Sequence, residues 1–315
     1  TVDVVPGIKV TWKDAGHIFG AAFLEIESEG KRVVFSGDIG NVDMPILRDT
    51  DQLGKVDLLV TESTYGDRLH ESREERYRLL LSTIKEGVAR GGVIMVPSFS
   101  IERTQELLYQ LHQMSTIEHT LPKIPIFLDS PMAIDAIAVY RRYPEYYDRE
   151  AAAMYTQGED FFQFPELRLT RTREQSKEIN LVHAPKMIIA GAGMMNGGRI
   201  LHHALRYLSD PDSTLLIIGY QSAGTLGRRL YEGAEHVRIF GQDVSVRCTI
   251  KAIGGLSAHG DQQKLLSWIR NAEKIPERIY CTHGEAHAAT ALAHRLRDEL
   301  QVKTFVPAFG EIIEV

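Results

Sequence analysis

His17 in AGHIFGAA, Asp38 in VVFSGD, Glu62 in LLVTEST, His259 in GLSAHGD and His283 in IYCTHGE stand where apolar stretches run out. Three of these positions follow strand-like patterns, and strand ends let a stiff scaffold aim side chains into one pocket. Imidazole combined with carboxylate is the donor chemistry that zinc and similar divalent cations take. Together these residues read as most of the catalytic wall of a metal-dependent hydrolase. Taken singly, each has a plainer reading: His17 as a polar loop residue beside a glycine, Asp38 as a turn aspartate bonding its own backbone, Glu62 as a surface carboxylate. His283 and His287 are four apart, but Glu285 falls at the wrong offset for the H-E-x-x-H zinc helix. His283 is therefore expected at a strand end and His287 on a helix face. His202 and His203 fall inside a helical stretch and are assigned no chemistry.

The elements that must position these groups follow from periodicity. Up to about residue 65 the chain reads as strands joined by short turns, with FLEIES alternating and VDLLVTE wholly apolar. Ser72 and Glu75 then form a capping box that opens a helix running to about Arg90. After it, apolar strands alternate with amphipathic helices: GVIMVPSFS into ERTQELLYQLHQM, PIFLDSPMA into IDAIAVYRRY, KMIIAGAGMMNGG into RILHHALRYL, and TLLIIGYQSAGT into LGRRLYEG. That alternation predicts right-handed βαβ units and a parallel sheet covered on both faces. The last 60 or so residues return to the earlier style, with a strand, a turn and a helix in RIYCTHGEAHAATALAHRLRDEL. The expected organisation is an α/β domain in two pieces, 1–66 and 257–315, interrupted by a second α/β domain over 67–256.

Two glycine-rich turns, Gly191 to Gly198 and Gly219 to Gly227, each join an apolar strand to a helix N-terminus. Free amides there favour a phosphate, although such turns also serve simply to let strand and helix approach closely. Asn196 and Gln221 lie within these turns, Arg199 and Arg228 follow them, and Arg103 follows PSFS. These are the candidates for holding a nucleic-acid backbone. Ser98, Ser130 and Thr225 either donate to phosphate oxygens or cap helices.

The run AGHIFGAA, SGD, ESTYGD, VPSFSIERTQELLY, LDSPMA, GAGMMNGGR, GYQSAGTLGR, GLSAHGDQ and THGE resembles the β-CASP group of metallo-β-lactamase-fold RNA nucleases, in the family's order and over almost the whole chain. That resemblance implies a partial metallo-β-lactamase (αββα) domain interrupted by a parallel-sheet β-CASP domain. It implies that His17, Asp38 and His283 are metal ligands, with Asp38 bridging two zinc ions in the complete protein. It implies that Glu62 and His259 form a carboxylate–imidazole pair beside the metals, the imidazole giving a proton to the leaving alkoxide. RNA is the expected substrate, with single-stranded DNA as the other polymer of the same chemistry. A non-catalytic RNA-binding or scaffold subunit, and a small-molecule hydrolase on the same core, are the two other readings. The size of the inserted α/β region speaks against the last of these.

The family's H-x-H-x-D-H signature, which supplies most of the ligands, does not occur in this sequence. The expectation is accordingly that these residues are the C-terminal part of a longer nuclease, the alternative being a short homologue that has lost catalysis. By itself the chain is expected to be inactive or weakly metallated, and two equivalents of zinc on the purified chain would contradict this. A net charge of −6 over 315 residues argues against a protein positive everywhere, so nucleic acid must be gripped locally. Neither a bilayer-length apolar run nor a signal peptide is recognisable, and two cysteines without a CxxC pair suit a reducing compartment. Cytoplasmic location, no membrane and, from the terminal strand and helix, a homodimer are the expectations that follow.

Overall fold

The computed structural model describes residues 1–314, which divide into two compact units, residues 1–70 with 258 onward, and residues 71–257. The first, here the terminal unit, begins with β1 (Val2–Val5), β2 (Ile8–Asp14), β3 (Ala22–Ser28), β4 (Lys31–Phe35) and β5 (Leu58–Glu62). β1 to β4 pair antiparallel as a meander, and β5 joins β4 in parallel. The change of sense shows in the sequence: β3 alternates, while β5 is apolar on both faces because both are covered.

The inserted unit follows with α1 (Arg73–Arg90), β6 (Val93–Pro97), α2 (Arg103–His112), β7 (Ile126–Asp129) and α3 (Pro131–Arg142). Ser72 caps α1 by accepting from the Glu75 amide at 3.2 Å, and Gly91 ends it in the left-handed region. Next come α4 (Arg149–Thr156), β8 (Leu167–Leu169), α5 (Arg173–Glu178), β9 (Lys186–Ala190) and α6 (Ile200–Tyr207). The unit ends with β10 (Thr214–Ile217), α7 (Leu226–Tyr231), β11 (His236–Ile239), β12 (Gln242–Ser245) and β13 (Thr249–Ala252). Six of these strands form an all-parallel sheet in the order β13-β10-β6-β9-β7-β8, and β11 and β12 make a separate hairpin. Buried Met95, Ile188, Leu215 and Ile217 form part of its core, against which Ile200, Ala204 and Leu230 of the covering helices pack.

The chain then returns to the terminal unit with α8 (Gln262–Arg270), β14 (Arg278–Thr282), α9 (Ala286–Leu300) and β15 (Lys303–Phe305). β14 inserts between β5 and β15, parallel to both, completing a sheet in the order β1-β2-β3-β4-β5-β14-β15. α8 and α9 supply Leu265, Leu266, Trp268, Ile269, Leu292 and Leu296 to a core with Phe23, Val34, Leu59 and Ile279. Trp268 meets Phe23 edge-on at 5.3 Å, and full burial of one such ring stabilises by roughly 1.5–3 kcal/mol.

Candidate metal centre and its neighbouring acid pair

Three adjacent parallel strands of the terminal unit end side by side: β4, β5 and β14. Just past or at those ends stand Asp38, Glu62 and His283, an arrangement in which parallel sheets commonly place their functional groups. Local bonds fix each turn. Ser36 Oγ accepts from the Glu62 amide at 2.9 Å and donates to the Gly37 carbonyl at 2.6 Å. His283 sits at φ +48°, and its carbonyl accepts from Thr64 Oγ1 at 3.0 Å and from the Ser63 amide at 3.3 Å.

His17 and His259 come from loops, and Gly40 joins them to the strand ends. Its amide donates to the Ala15 carbonyl at 2.8 Å, and it bridges His259 in a short antiparallel contact. A Cβ at position 40 would lie 1.9 Å from the Gly16 carbonyl oxygen and 2.9 Å from the His17 nitrogen. Only glycine lets these backbones approach this closely.

The resulting constellation is compact. Asp38 Oδ1 is 2.9 Å from His283 Nδ1, while Oδ2 is 3.7 Å from His17 Nε2, so the two carboxylate oxygens face different imidazoles. The His17 and His259 rings are centred 4.5 Å apart, and those of His259 and His283 5.8 Å apart. One donor atom from each of His17, Asp38 and His259 lies within 4.8 Å of the others, and the same holds for Glu62, His259 and His283. His283, helped by the charges of His259 and His17, holds the Asp38 carboxyl down to about 2, against the opposing effect of burial. Reciprocally, Asp38 raises the His283 imidazole.

Glu62 has no exposed side-chain surface. Its Oε1 accepts from the Ile39 amide at 2.5 Å, and its Oε2 pairs with His259 Nδ1 at 3.0 Å. With a carboxylate as partner, Nδ1 is the donor, which leaves Nε2 of His259 for other chemistry. His287 lies in α9, where its Nε2 is 3.2 Å from Asp67, and is not brought to this cluster.

The residues proposed from sequence to hold a polymer backbone all lie in the inserted unit, most of them engaged in its own structure. Arg103 is 4% exposed; its guanidinium donates to the Leu256 carbonyl at 2.9 Å and pairs with buried Glu106. A buried guanidinium needs such a counter-charge, and this placement corrects the expectation that Arg103 meets a phosphate. Ser98 is also interior, accepting from Thr104 Oγ1 at 3.0 Å. Ser130 caps α3 and Thr225 caps α7. Asn196 accepts from the Leu226 amide at 3.2 Å, and Gln221 donates to the Gly193 and Gly219 carbonyls, so both tie one glycine-rich turn to the other. Arg228 pairs with Glu232 and donates to the Gln221 carbonyl at 3.2 Å.

Arg199 is held by Asp129 at 2.7 Å within a cluster missed from sequence. The Asp129 carboxylate, wholly buried, also accepts from Thr170 Oγ1 at 2.8 Å and Ser176 Oγ at 2.6 Å, and pairs with His203 Nε2 at 2.8 Å. Burial pushes its carboxyl up, but these four partners outweigh burial and hold it at about 2. A second residue missed is Phe99, two positions past β6. It is 39% exposed, and its ring lies where a Cβ on Gly193 or, less tightly, on Gly219 would touch it. An exposed aromatic following a buried strand was the available signal.

Comparison with known proteins places the chain in a family. Residues 104–230 match the Beta-Casp domain, and residues 243–307 match the Zn-dependent metallo-hydrolase RNA specificity domain. Ribonuclease TTHA0252 of Thermus thermophilus is 37% identical over 98% of this chain and 70% of its own length. An RNase J-like protein of Methanocaldococcus jannaschii is 32% identical, with 99% of this chain and 72% of its own length covered. The transcription termination factor FttA of Methanosarcina mazei is 28% identical over 96% of this chain, which spans only 49% of that protein. A crystal structure of a protein of unknown function from Enterococcus faecalis shares the fold with a TM-score of 0.50 at 12% identity, covering 99% of this chain and 65% of that one.

Proposed function

This chain belongs to the β-CASP family of metallo-β-lactamase-fold RNA nucleases, and on that premise we propose that it carries the catalytic wall of a zinc-dependent RNA phosphodiesterase. The observation that carries the reading is Asp38, whose two oxygens face His17 and His283 respectively. A carboxylate so placed is suited to share itself between two cations, as in two-metal hydrolases. The donor set fits zinc: imidazole nitrogens and a carboxylate already held well below its ordinary range by neighbouring imidazoles. His17, Asp38 and His283 would hold the ions, two in number, with the remaining positions of each four-coordinate shell filled from outside this cluster. When bound, the ions supply positive charge against the phosphodiester and acidify water.

The chain's own residues do the rest. Glu62 keeps the His259 ring oriented and its Nδ1 committed, so that Nε2 can hand a proton to the departing alkoxide oxygen. Charge on the imidazole is stabilised by the buried carboxylate during that transfer. In the inserted unit, Arg228, partly exposed beside a glycine-rich turn, offers charge to a phosphate backbone, and Phe99 offers a face to a base. RNA binding is therefore local on a chain whose net charge is −6.

The deciding experiment is cleavage of end-labelled single-stranded RNA by the full-length protein with zinc and after chelation. Cleavage is expected to need zinc and to vanish in Asp38→Asn while RNA binding persists. Cleavage that survives Asp38→Asn would overturn the assignment. Binding without any cleavage by the parent protein would favour the scaffold reading.

A further inference from the structure

A cavity of ≈ 440 Å³ opens in the inserted unit, bounded by the C-terminal end of α3, by α4 and by the loop that follows. That size falls within the range of small-ligand sites, about 300–1,000 Å³. Four of its lining residues are aromatic: Tyr147, Phe161 and Phe162, at most 4% exposed, and Tyr155, 45% exposed. Tyr147 packs against Tyr155 at 6.1 Å and against Phe161 at 5.6 Å, which stiffens the wall. Glu159 lines the same cavity, and its Oε2 is buried without a hydrogen-bond partner.

The chemistry that suits this wall is already realised once within it, by the lining residue Arg141. Arg141 stands over the Phe162 ring at 5.9 Å and is paired with Asp160. Ring faces carry negative potential and attract a cation, the more so when a carboxylate stands behind them. Charge selects further between ligands. From Arg141 to Phe162 the chain carries Glu145, Asp148, Glu150, Glu159 and Asp160 against Arg141, Arg142 and Arg149, an excess of negative charge. A nucleotide would bring its phosphate into that field; a guanidinium or ammonium is drawn by it.

We propose that this cavity is a docking site for a cationic side chain, an arginine or lysine of a basic segment of another polypeptide. The guanidinium or ammonium sits against Tyr147 and Tyr155 with Glu159 as its counter-charge. The site lies wholly within the inserted unit and does not depend on the nuclease reading.

The test titrates the purified chain, carrying ring-labelled tyrosine, with an acetylated and amidated glycine–arginine–glycine tripeptide, followed by NMR. Signals of Tyr147 and Tyr155 are expected to shift saturably with the arginine peptide and not with its neutral citrulline analogue. Glu159→Gln, which keeps size and removes charge, and Tyr155→Ala, at an exposed ring, are each expected to weaken binding about tenfold. Thermal unfolding of both variants establishes that they are folded. No saturable shift, equal binding of the citrulline peptide, or binding untouched by Glu159→Gln in a folded variant would overturn the proposal. So would saturation of the same signals by a short oligoadenylate, which would make the cavity a nucleobase site.

Discussion

Asp129→Asn tests whether the buried cluster at the end of β7 holds the inserted unit together. The carboxylate is wholly buried and serves Thr170 and Arg199 through Oδ1, and Ser176 and His203 through Oδ2. Lowering its carboxyl from an ordinary ~3.9 to about 2 corresponds to roughly 2–3 kcal/mol of stability. Because the folded value is depressed, that stability is fully present above pH ~4 and is lost as pH falls towards 2. Asparagine keeps one acceptor oxygen and turns an NH2 towards two former donors. Ser176 can accept instead of donate, and His203 can switch tautomer, so the amide should point its nitrogen at that pair. Arg199 then keeps its oxygen partner and loses its counter-charge. The expected cost is about 2–3 kcal/mol near neutral pH, rising to about 3–5 kcal/mol for Asp129→Ala, which strands the guanidinium. Both tryptophans, Trp12 and Trp268, lie in the terminal unit, so urea unfolding should be followed by tyrosine signal or by hydrogen exchange in β7 and β9. The variant should also lack the part of the acid-induced loss between pH 4 and 2 that the parent shows. A midpoint within about 0.5 kcal/mol of the parent, or an identical acid profile, would refute this account of the cluster.

Glu62→Gln leaves the Ile39 amide an acceptor but turns an NH2 towards His259, which must move its proton to Nε2. Single-turnover RNA cleavage should fall about 10²–10⁴-fold with the fold intact, and nitrogen NMR of the histidines should report the changed tautomer. Gly40→Ala should cost about 1–3 kcal/mol in chemical unfolding and weaken zinc binding by about 10–100-fold, because the loops of His17 and Asp38 are forced apart. Unchanged zinc affinity would mean that those loops adjust freely. Phe99→Ala should weaken single-stranded RNA binding by about 1–3 kcal/mol while Phe99→Trp keeps it, measured by fluorescence anisotropy. Equal affinity of all three proteins would remove Phe99 from the binding surface.

What could be read in advance separates cleanly along physical lines. The strand–helix alternation from Gly92 to Gly233 announced a parallel sheet, because apolar runs bounded by turns leave little else to build. Asp38, Glu62 and His283 were legible because each ends or follows a buried strand, and adjacent parallel strands end together. The partners of Arg103 and Arg199 were not legible. Nothing local distinguishes an arginine that will meet Glu106 in the interior from one that will meet a phosphate, since both follow a strand end. His203 was set aside as a mid-helix residue, yet one face of α6 is buried and carries it to Asp129, 74 positions away. Nothing local marks Gly40, because its close approach to Gly16 is a long-range steric fact with no periodic signature.

The distance in sequence between Glu62 and His259 poses an energetic question, because the whole inserted unit lies between them. Closing a chain of that length costs only about 2–3 kcal/mol more than closing a ten-residue turn, since the entropy grows with the logarithm of length. The terminal unit offsets that cost where the chain leaves and returns. His70 donates from its amide to Asp261 Oδ2 at 2.9 Å, Gln262 from its amide to the Arg68 carbonyl at 3.1 Å, and Gln262 Nε2 to the Gly66 carbonyl at 2.6 Å. His70 Nε2 also meets the His259 carbonyl at 3.2 Å, and Tyr65 pairs with Asp261 in a parallel bridge. At about 0.5–1.5 kcal/mol each, these bonds are of the size needed. They fix the backbone at and after His259 from within the terminal unit, and the Asn41 amide, donating to the Ala258 carbonyl at 2.9 Å, fixes it just before. The Glu62–His259 pair is thus anchored by the unit that carries Asp38 and His17, and the distance on which proton transfer depends is set by bonds within that unit.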